Sequence, residues 1–497
     1  MPAAEARIRT HRASRYLTQL CEHTARIGDR PHRHGHTELL RPRRAEHSEA
    51  DGVIDFDEGR CTLRATAEEL VMVAEAADPR RLRLIQDALG ARLEMIGRRD
   101  RLTLTWQPAS AAAILEQLMT PAGRADPYPL YAAAHTLGPV SPLPGGSFLV
   151  SGYAAVDQVL RDPGFGLAES SGTLPSMSRS ILRANPPDHG RMRSLIAKVF
   201  TPRRVAALRP AVEQAVAGLL DRLAETAADG APVDFMDHVA FPLPVTVIGE
   251  LLGVPPADRH RFRPLAADLT EALELAAASA ATEAAAGELA EYFAHLIAER
   301  RTAPGDDLVS ALVAVRDADD GRLSDAELLA NLILLLVAGF ETTTNLLGNG
   351  LAALLDHPEL RTERLDITDF VEEVLRHDSP VQVVTRQAHA DGRTVEGIPV
   401  PVGGDLILLI GAANRDPARY PDPDRFDPTR ADIRPLSFGA GPHICIGNSL
   451  ARLEAAIVFT ELLARFPDLS AAHPRLRRDR LVLRGYETLP VRIAGAV

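Results

Sequence analysis

The chain has 497 residues and a mass of 53.6 kDa, which suits one large domain with a small one, or three ordinary domains. Hydrophobic residues make up 46% and charged residues 25%, and this globular composition excludes a chain that stays disordered. The net charge of −12 gives no general attraction to phosphate, so nucleic acid is excluded as a primary partner.

The sequence predicts neither export nor membrane insertion. The first residues are charged throughout and lack the apolar core of a signal peptide. The longest apolar run, 332–340, is much shorter than the ~20 residues that span a bilayer. The three cysteines, Cys21, Cys61 and Cys445, are too few and too scattered for a disulfide framework. We therefore expect a cytoplasmic protein without a membrane partner.

Residues 1–106 are predicted to form a small α+β domain. Apolar residues at helical spacing predict a helix over 14–27, and Asp78 is the predicted N-cap of a second helix. The polar stretch 28–52 is expected to be a loop. Alternating apolar residues between turn signals predict five strands, over 6–9, 53–56, 61–65, 70–74 and 102–106.

From Gln107 onward the pattern predicts a second, mainly helical domain, 107–497, with small β-sheets. Short strands are predicted over 148–151, 383–388 and 406–410. The proline-rich run 417–428 is predicted to be neither helix nor central strand, because repeated prolines remove backbone donors.

A lone cysteine lies in a glycine-rich loop directly before an amphipathic helix. Cys445 follows Gly439 and Gly441, and Gly447 precedes a helix predicted to begin near Asn448. Unpaired N–H groups at a helix start stabilise a thiolate, and glycines let a flat partner approach the backbone closely. On spacing alone, a reactive thiolate and an inert buried cysteine both fit this loop.

A second unusual segment follows the apolar run 332–340. Gly339, Glu341 and the threonines from Thr342 are unfavourable inside a helix that is apolar on every side. Apolar residues resume at Leu346, so the helix is not expected to emerge into solvent there. Such a local conflict indicates a kink or a functional site, and a buried acid beside an alcohol can pass protons through ordered water. Further on, Glu373 and Arg376 share one helix face and can pair, which alone is a weak signal.

Taken in their order along the chain, these motifs resemble those of bacterial cytochromes P450. The resemblance covers 107–497 and implies the mainly α cytochrome P450 fold with small β-sheets, preceded by the small α+β domain. The motifs are F-x-x-G-x-x-x-C-x-G at Phe438, Gly441, Cys445 and Gly447, A-G-x-E-T-T at Ala338, Gly339, Glu341, Thr342 and Thr343, E-x-x-R at Glu373 and Arg376, P-D-x-x-R-F with Arg425 as its arginine, and H-x-x-x-R at His189 and Arg193.

The resemblance implies a haem b cofactor and a role for each matched residue. Cys445 would be the metal ligand, the axial thiolate of the haem iron. Thr342, with Glu341, would organise the waters that deliver protons. The residues that would contact the haem or hold its propionates are His189, Arg193, Ala338, Arg386, Phe438, Gly439, His443 and Gly447. A structural triad would consist of Glu373, Arg376 and Arg425.

The resemblance also implies a substrate pocket, which would comprise Leu334, Val337, Ala338, Val381, Gln382 and Val383. Its mostly apolar lining with one amide predicts a mid-sized, mainly hydrophobic small molecule of the secondary-metabolite kind. The expected reaction is O2-dependent hydroxylation or epoxidation, with electrons from a separate ferredoxin and its ferredoxin reductase. The alternatives are an oxidase that couples C–C or C–O bonds or desaturates without inserting oxygen, and a thiolate-haem sensor. The acid–alcohol pair argues against the sensor, whereas monooxygenase and oxidase share all these residues.

The first 106 residues are similar, through SRYLTQLCEH, FDEGRCTL and LTLTW, to a small bacterial domain family of unknown function. They hold no convincing catalytic constellation, so we expect a module that binds a protein partner, with a structural cap as the alternative. His32, His34 and His36 alternate near His11 and His23, which leaves a metal site and a flexible loop both open. Cys21 and Cys61 are expected to be core residues rather than a redox pair.

Overall fold

The computed structural model describes residues 3–28, 42–57, 59–98, 100, 102, 104–108, 110–168, 176–274, 279–318, 323–362 and 364–493. The chain divides into two compact units. The first comprises Met1–Leu137 and Ser141–Pro144, and the second comprises Gly138–Val140 and Gly145–Val497. The first unit thus extends beyond residue 106, the predicted end of the small domain, and includes three further helices.

The first unit contains an antiparallel sheet of six strands in the order β2-β3-β4-β5-β1-β6. Its strands are β1 Ala3–Arg9, β2 Pro42–His47, β3 Asp51–Phe56, β4 Gly59–Ala65, β5 Glu69–Ala76 and β6 Trp106–Pro108. Its helices are α1 Ala13–Gly28, α2 Pro79–Ile96, α3 Ala111–Leu118, α4 Pro121–Ala125 and α5 Tyr128–Thr136. Helices α1 and α2 pack on the sheet, and their apolar faces form one core with it. The side chain of Asp78 accepts a hydrogen bond from the Arg81 N–H at 2.9 Å and caps α2 as predicted.

Two sequence expectations for this unit need correction. The predicted loop 28–52 contains β2, whose residues pair with β3 from Pro42 to His47. This edge strand is polar and mostly exposed, so it lacks the alternation that predicts strands. The closing strand is Trp106–Pro108 rather than 102–106, and it pairs with β1.

Cys21 and Cys61 are both buried in the core of the first unit. Burial raises the pKa of each thiol, to about 11 for Cys21, so both stay protonated at neutral pH. This placement fits core residues. Among the described residues no group of three or more metal-ligating side chains occurs, and His32, His34 and His36 lie outside the described residues.

The second unit is mainly helical. Its helices are α6 Tyr153–Arg161, α7 Asp188–Val199, α8 Pro202–Ala207, α9 Arg209–Thr226, α10 Pro242–Leu252, α11 Arg259–Leu269, α12 Ala280–Thr302, α13 Leu308–Ala318, α14 Asp325–Asp356, α15 Ile367–His377, α16 Ile410–Ala413 and α17 Asn448–Arg465. The remaining strands of the chain are β7 Val140–Pro142, β8 Phe148–Val150, β9 Phe165–Gly166, β10 Val233–Asp234, β11 Val383–Ala388, β12 Thr394–Val395, β13 Ile398–Pro399, β14 Asp405–Leu409, β15 Ser470–Ala471, β16 Leu476–Arg477, β17 Tyr486–Thr488 and β18 Pro490–Arg492. Strands β8, β14, β11 and β9 lie in that order in one sheet, and the proline-rich run 417–428 is irregular, as predicted.

Helix α14 is the central element of the second unit and runs unbroken for 32 residues. It begins with a capping box, in which Ser324 and Glu327 satisfy each other's backbone N–H groups. Of the described residues, this helix alone is long and apolar enough to cross a membrane, but 67% of its most apolar stretch is buried inside the protein. Helices α10, α11, α12 and α17 pack around it. The apolar composition of α14 is therefore explained by its burial in the protein core.

Candidate active site

The loop before α17 is closed by backbone contacts that require glycine. Gly439 and Gly441 adopt left-handed φ values of 68° and 65°, and a Cβ on Gly441 would lie 2.4 Å from the Leu160 carbonyl oxygen. The Cys445 N–H donates to the Phe438 carbonyl at 2.9 Å, and the Asn448 side chain donates to the Cys445 carbonyl at 2.6 Å. The loop thus holds the cysteine at the start of α17.

The Cys445 thiol faces a cavity of about 590 Å³ in the second unit. Its side chain is solvent-accessible although it lies deep in the protein, because its open side is the cavity wall. Burial raises the pKa of this thiol, while the Gly447 and Asn448 N–H groups and the charges of Arg193 and Arg452 oppose that rise. The arrangement therefore offers a sulfur ligand to a group bound in the cavity, and the N–H groups and arginines around the sulfur compensate its charge.

Four basic side chains gather at one end of the same cavity. The rings of His189 and His443 lie 3.8 Å apart, and burial with the charges of Arg193 and Arg386 lowers the pKa of both histidines, to about 3 for His443. Burial also lowers the pKa of Arg386 to about 10. No carboxylate of the described residues pairs with either guanidinium group, which is costly here, and two carboxylates on a bound group would relieve that cost. These residues fit the propionates of haem.

The two residues of the predicted proton-delivery pair face different surroundings. Thr342 lines the cavity, and its hydroxyl donates to the Ala338 carbonyl at 2.6 Å. Glu341 is fully buried and is not among the residues that line the cavity. Its carboxylate forms an ion pair with Arg478 and lies 3.8 Å from the Arg480 guanidinium. Because successive helix residues point about 100° apart, the structure separates the two side chains.

The predicted pocket residues are partly brought together. The cavity is lined by Leu334, Ala338, Val381 and Val383. Val337 instead packs in the core, and Gln382 turns its amide away to donate to the Ser379 carbonyl at 2.7 Å. Further lining residues that sequence reasoning missed include Arg183, Phe200, Ile248, Glu274, Glu454 and Leu483. A lone acid on the apolar side of α17 is a sequence signal for Glu454, whereas the others come from helix α10 and from connecting segments that are distant in sequence.

The predicted structural triad has a different third member. The guanidinium of Arg376 donates to Glu373 at 2.7 and 2.8 Å, and both side chains are fully buried. Arg425 contributes its backbone carbonyl to Arg376, whereas its guanidinium is 65% exposed and pairs with Asp427. The third cation on Glu373 is Arg430, whose Nε donates to the carboxylate at 3.3 Å. The turns of the proline-rich segment decide which arginine points inward.

Comparisons with known proteins identify both parts of the chain. The family described as Cytochrome P450 matches residues 264–366 and 367–477, and the family described as Uncharacterized protein conserved in bacteria (DUF2218) matches residues 5–107. The chain is similar to the cytochrome P450 monooxygenase PikC of Streptomyces venezuelae, with 40% identity over 385 residues that cover 74% of this chain and 91% of that protein. It is 42% identical over 319 residues to the 6-deoxyerythronolide B hydroxylase of Saccharopolyspora erythraea, covering 63% of this chain and 77% of that protein. The ligand-free crystal structure of CYP164A2 from Mycobacterium smegmatis superposes with a TM-score of 0.70 and 39% identity, covering 77% of this chain and all of that one (100%).

Proposed function

The chain belongs to the cytochrome P450 family of haem-thiolate monooxygenases, and on that basis we propose that it hydroxylates or epoxidises a mid-sized, mainly hydrophobic small molecule. The proposal rests on one observation: the Cys445 thiol, Thr342 and the four basic side chains all line the same cavity. Relatives such as 6-deoxyerythronolide B hydroxylase support a substrate of the secondary-metabolite kind.

The proposed cofactor is haem b, which supplies iron for oxygen activation when bound. Cys445 would be the thiolate ligand of its iron, and the residues around Cys445 would position that sulfur. Arg193 and Arg386 with His189 and His443 would hold its propionates through charge-assisted hydrogen bonds. Ala338 lies on the side of α14 that lines the cavity, and Phe438, Gly439 and Gly447 belong to the cysteine loop. The small residues leave room for a flat ring system.

Thr342 presents a hydrogen-bond acceptor to the cavity. Its hydroxyl hydrogen is used by the Ala338 carbonyl, so its oxygen is free to accept a hydrogen bond from a water on the cavity side. Glu341 is the proposed source of protons for that water. In the present geometry its carboxylate is held by Arg478, so proton delivery requires that the carboxylate exchange this partner for water.

The proposed electron donors are a separate ferredoxin and its ferredoxin reductase in the cytoplasm. Neither family matched by the chain is a flavin or iron–sulfur protein by its description. Residues 1–106 are the proposed docking module for a protein partner. A chain that starts at Gln107 should still bind haem, because every residue assigned to the haem lies after residue 188.

The direct test is turnover of the full-length protein with a ferredoxin, its reductase and a panel of hydrophobic secondary metabolites under ¹⁸O2. Incorporation of one labelled oxygen atom into product supports the monooxygenase. A product that has lost two hydrogens or gained a ring bond without label supports the oxidase. Absence of a thiolate-haem spectrum in the purified protein contradicts both.

A further inference from the structure

The charges that line the cavity do not balance. Besides the four basic groups assigned to the propionates, the lining contains a third arginine, Arg183, in the turn before α7. The acids in the lining are Glu274 and Glu454. Arg193 and Arg386 match the two propionates of haem in number and charge. Arg183 is therefore a third cation for which the haem supplies no anion.

Among the described residues, the guanidinium of Arg183 has no hydrogen-bond or ion-pair partner, whereas its backbone N–H donates to the Ser180 carbonyl at 3.0 Å. Burial lowers its pKa, and no neighbouring carboxylate offsets that effect. The side chain is half-buried beside apolar lining residues such as Ile181, Leu182 and Phe200. A cation held in this way is costly unless an anion joins it.

Neither lining acid is available to Arg183. The carboxylate of Glu274 accepts the N–H groups of Leu481, Val482 and Leu483 at 3.1, 2.9 and 3.1 Å, and the cation that acts on it is Arg480 rather than Arg183. Glu454 is fully buried on α17, and burial raises its pKa to about 8, which keeps it neutral at physiological pH. The described part of the lining therefore offers no anion to Arg183, and a ligand can supply one.

A haem carboxylate is a poor candidate for that anion. The charges that depress the pKa of His189 and His443 are those of Arg193 and Arg386, and Arg183 is not among them. Arg183 is thus electrostatically separate from the propionate cluster, and it shares the cavity lining with apolar residues of α14, namely Leu334 and Leu335.

We propose that Arg183 binds a carboxylate of the substrate, so that the enzyme acts on an amphipathic acid with an apolar body and one anionic end. This inference rests on the proposed function, because it names the substrate class of the same cavity. A guanidinium can bind a carboxylate in a bidentate way, which fixes orientation as well as charge. The apolar residues that line the rest of the cavity, such as Ile248 and Leu483, accommodate the apolar part of the substrate.

The test is a set of matched ligand pairs, each a carboxylic acid and its methyl ester, titrated into the full-length protein at neutral pH. Suitable probes are myristic acid, lithocholic acid and 4-phenylbutyric acid. Binding is followed by the haem absorption band and, independently, by the rise in unfolding temperature. We expect at least one acid to bind about tenfold or more tightly than its ester, as a charged hydrogen-bonded pair requires.

Three variants test whether the preference for the acid over its ester depends on Arg183. Arg183→Gln should abolish the preference for the acid, and Arg183→Lys should retain part of it. Arg179→Gln is the matched control, because Arg179 lies in the same loop but is exposed and off the cavity. A panel without any preference for acid over ester, or a preference that survives in Arg183→Gln, overturns the inference. A protein without thiolate-bound haem contradicts the proposed function instead, and the unfolding-temperature measurement still tests the acid preference in that case.

Discussion

Replacing Glu373 by glutamine perturbs the most deeply buried ion pair of the second unit. The carboxylate accepts two hydrogen bonds from Arg376, one from the Asp427 N–H at 2.7 Å and one from Arg430 at 3.3 Å. Glutamine has the same shape, but it removes the negative charge and turns an NH2 donor toward guanidinium donors. Two cations then remain in a site where Arg376 is fully buried and the Arg430 side chain is 9% exposed.

The expected loss follows from that burial. Breaking a buried pair by removing one partner costs about 3–5 kcal/mol, because the other charge is left uncompensated. A typical total stability is about 5–15 kcal/mol, so Glu373→Gln should lose a large part of it. The pair joins α15 to the proline-rich segment near the cysteine loop, and haem retention should weaken together with folding.

The assay is urea unfolding of the full-length protein, followed by the haem absorption band so that the second unit is observed. The matched control is Glu213→Gln, which makes the same change in an exposed pair with Arg209 at 3.3 Å. This surface pair contributes about 0.3–0.5 kcal/mol. If Glu373→Gln lost no more stability than Glu213→Gln, the reasoning about the buried network would be refuted.

Three further predictions use other parts of the site. Arg430→Gln should destabilise the fold clearly more than Arg425→Gln in the same urea assay, and equal effects would contradict the assignment of Arg430 to the network. Thr342→Ala should leave the haem spectrum intact but divert electrons from product to hydrogen peroxide. The measurement is the amount of product formed per NADPH consumed, and an unchanged ratio would mean that another group positions the water. The pKa of Glu454 is about 4.3 in the unfolded chain and about 8 in the folded protein. The free energy of unfolding therefore falls as pH rises between these two values. Glu454→Gln should accordingly be more stable than the native protein by an amount that grows from about pH 5 to about pH 8. An advantage that does not change with pH would show that Glu454 is already ionised in the folded protein.

The sequence predicts best what depends on contiguous residues. The cysteine loop, the start of α17 and the long apolar stretch of α14 are set by local patterns of glycine, proline and leucine, and the structure has each where it was expected. The strand Val383–Ala388 was likewise predicted to the residue. Local pattern is enough because these elements use backbone preferences and burial that neighbours in sequence determine.

What the sequence does not reveal depends on contacts between distant segments. The strand Pro42–His47 is polar and exists through backbone pairing with β3, which composition does not signal. Arg425 and Arg430 are alternatives five residues apart, and only the path of the proline-rich segment selects one of them. Arg183 becomes notable because it lines the cavity without an anionic partner in the part of the chain that the structure describes, and no motif marks it.

The central claim is that Cys445 supplies the thiolate ligand of a bound haem. The most direct measurement is the absorption spectrum of the reduced, CO-bound full-length protein beside that of Cys445→Ala. We expect the band that is diagnostic of thiolate ligation in the native protein and its loss in the variant. A native protein without that band, or a Cys445→Ala variant that retains it, would contradict the account.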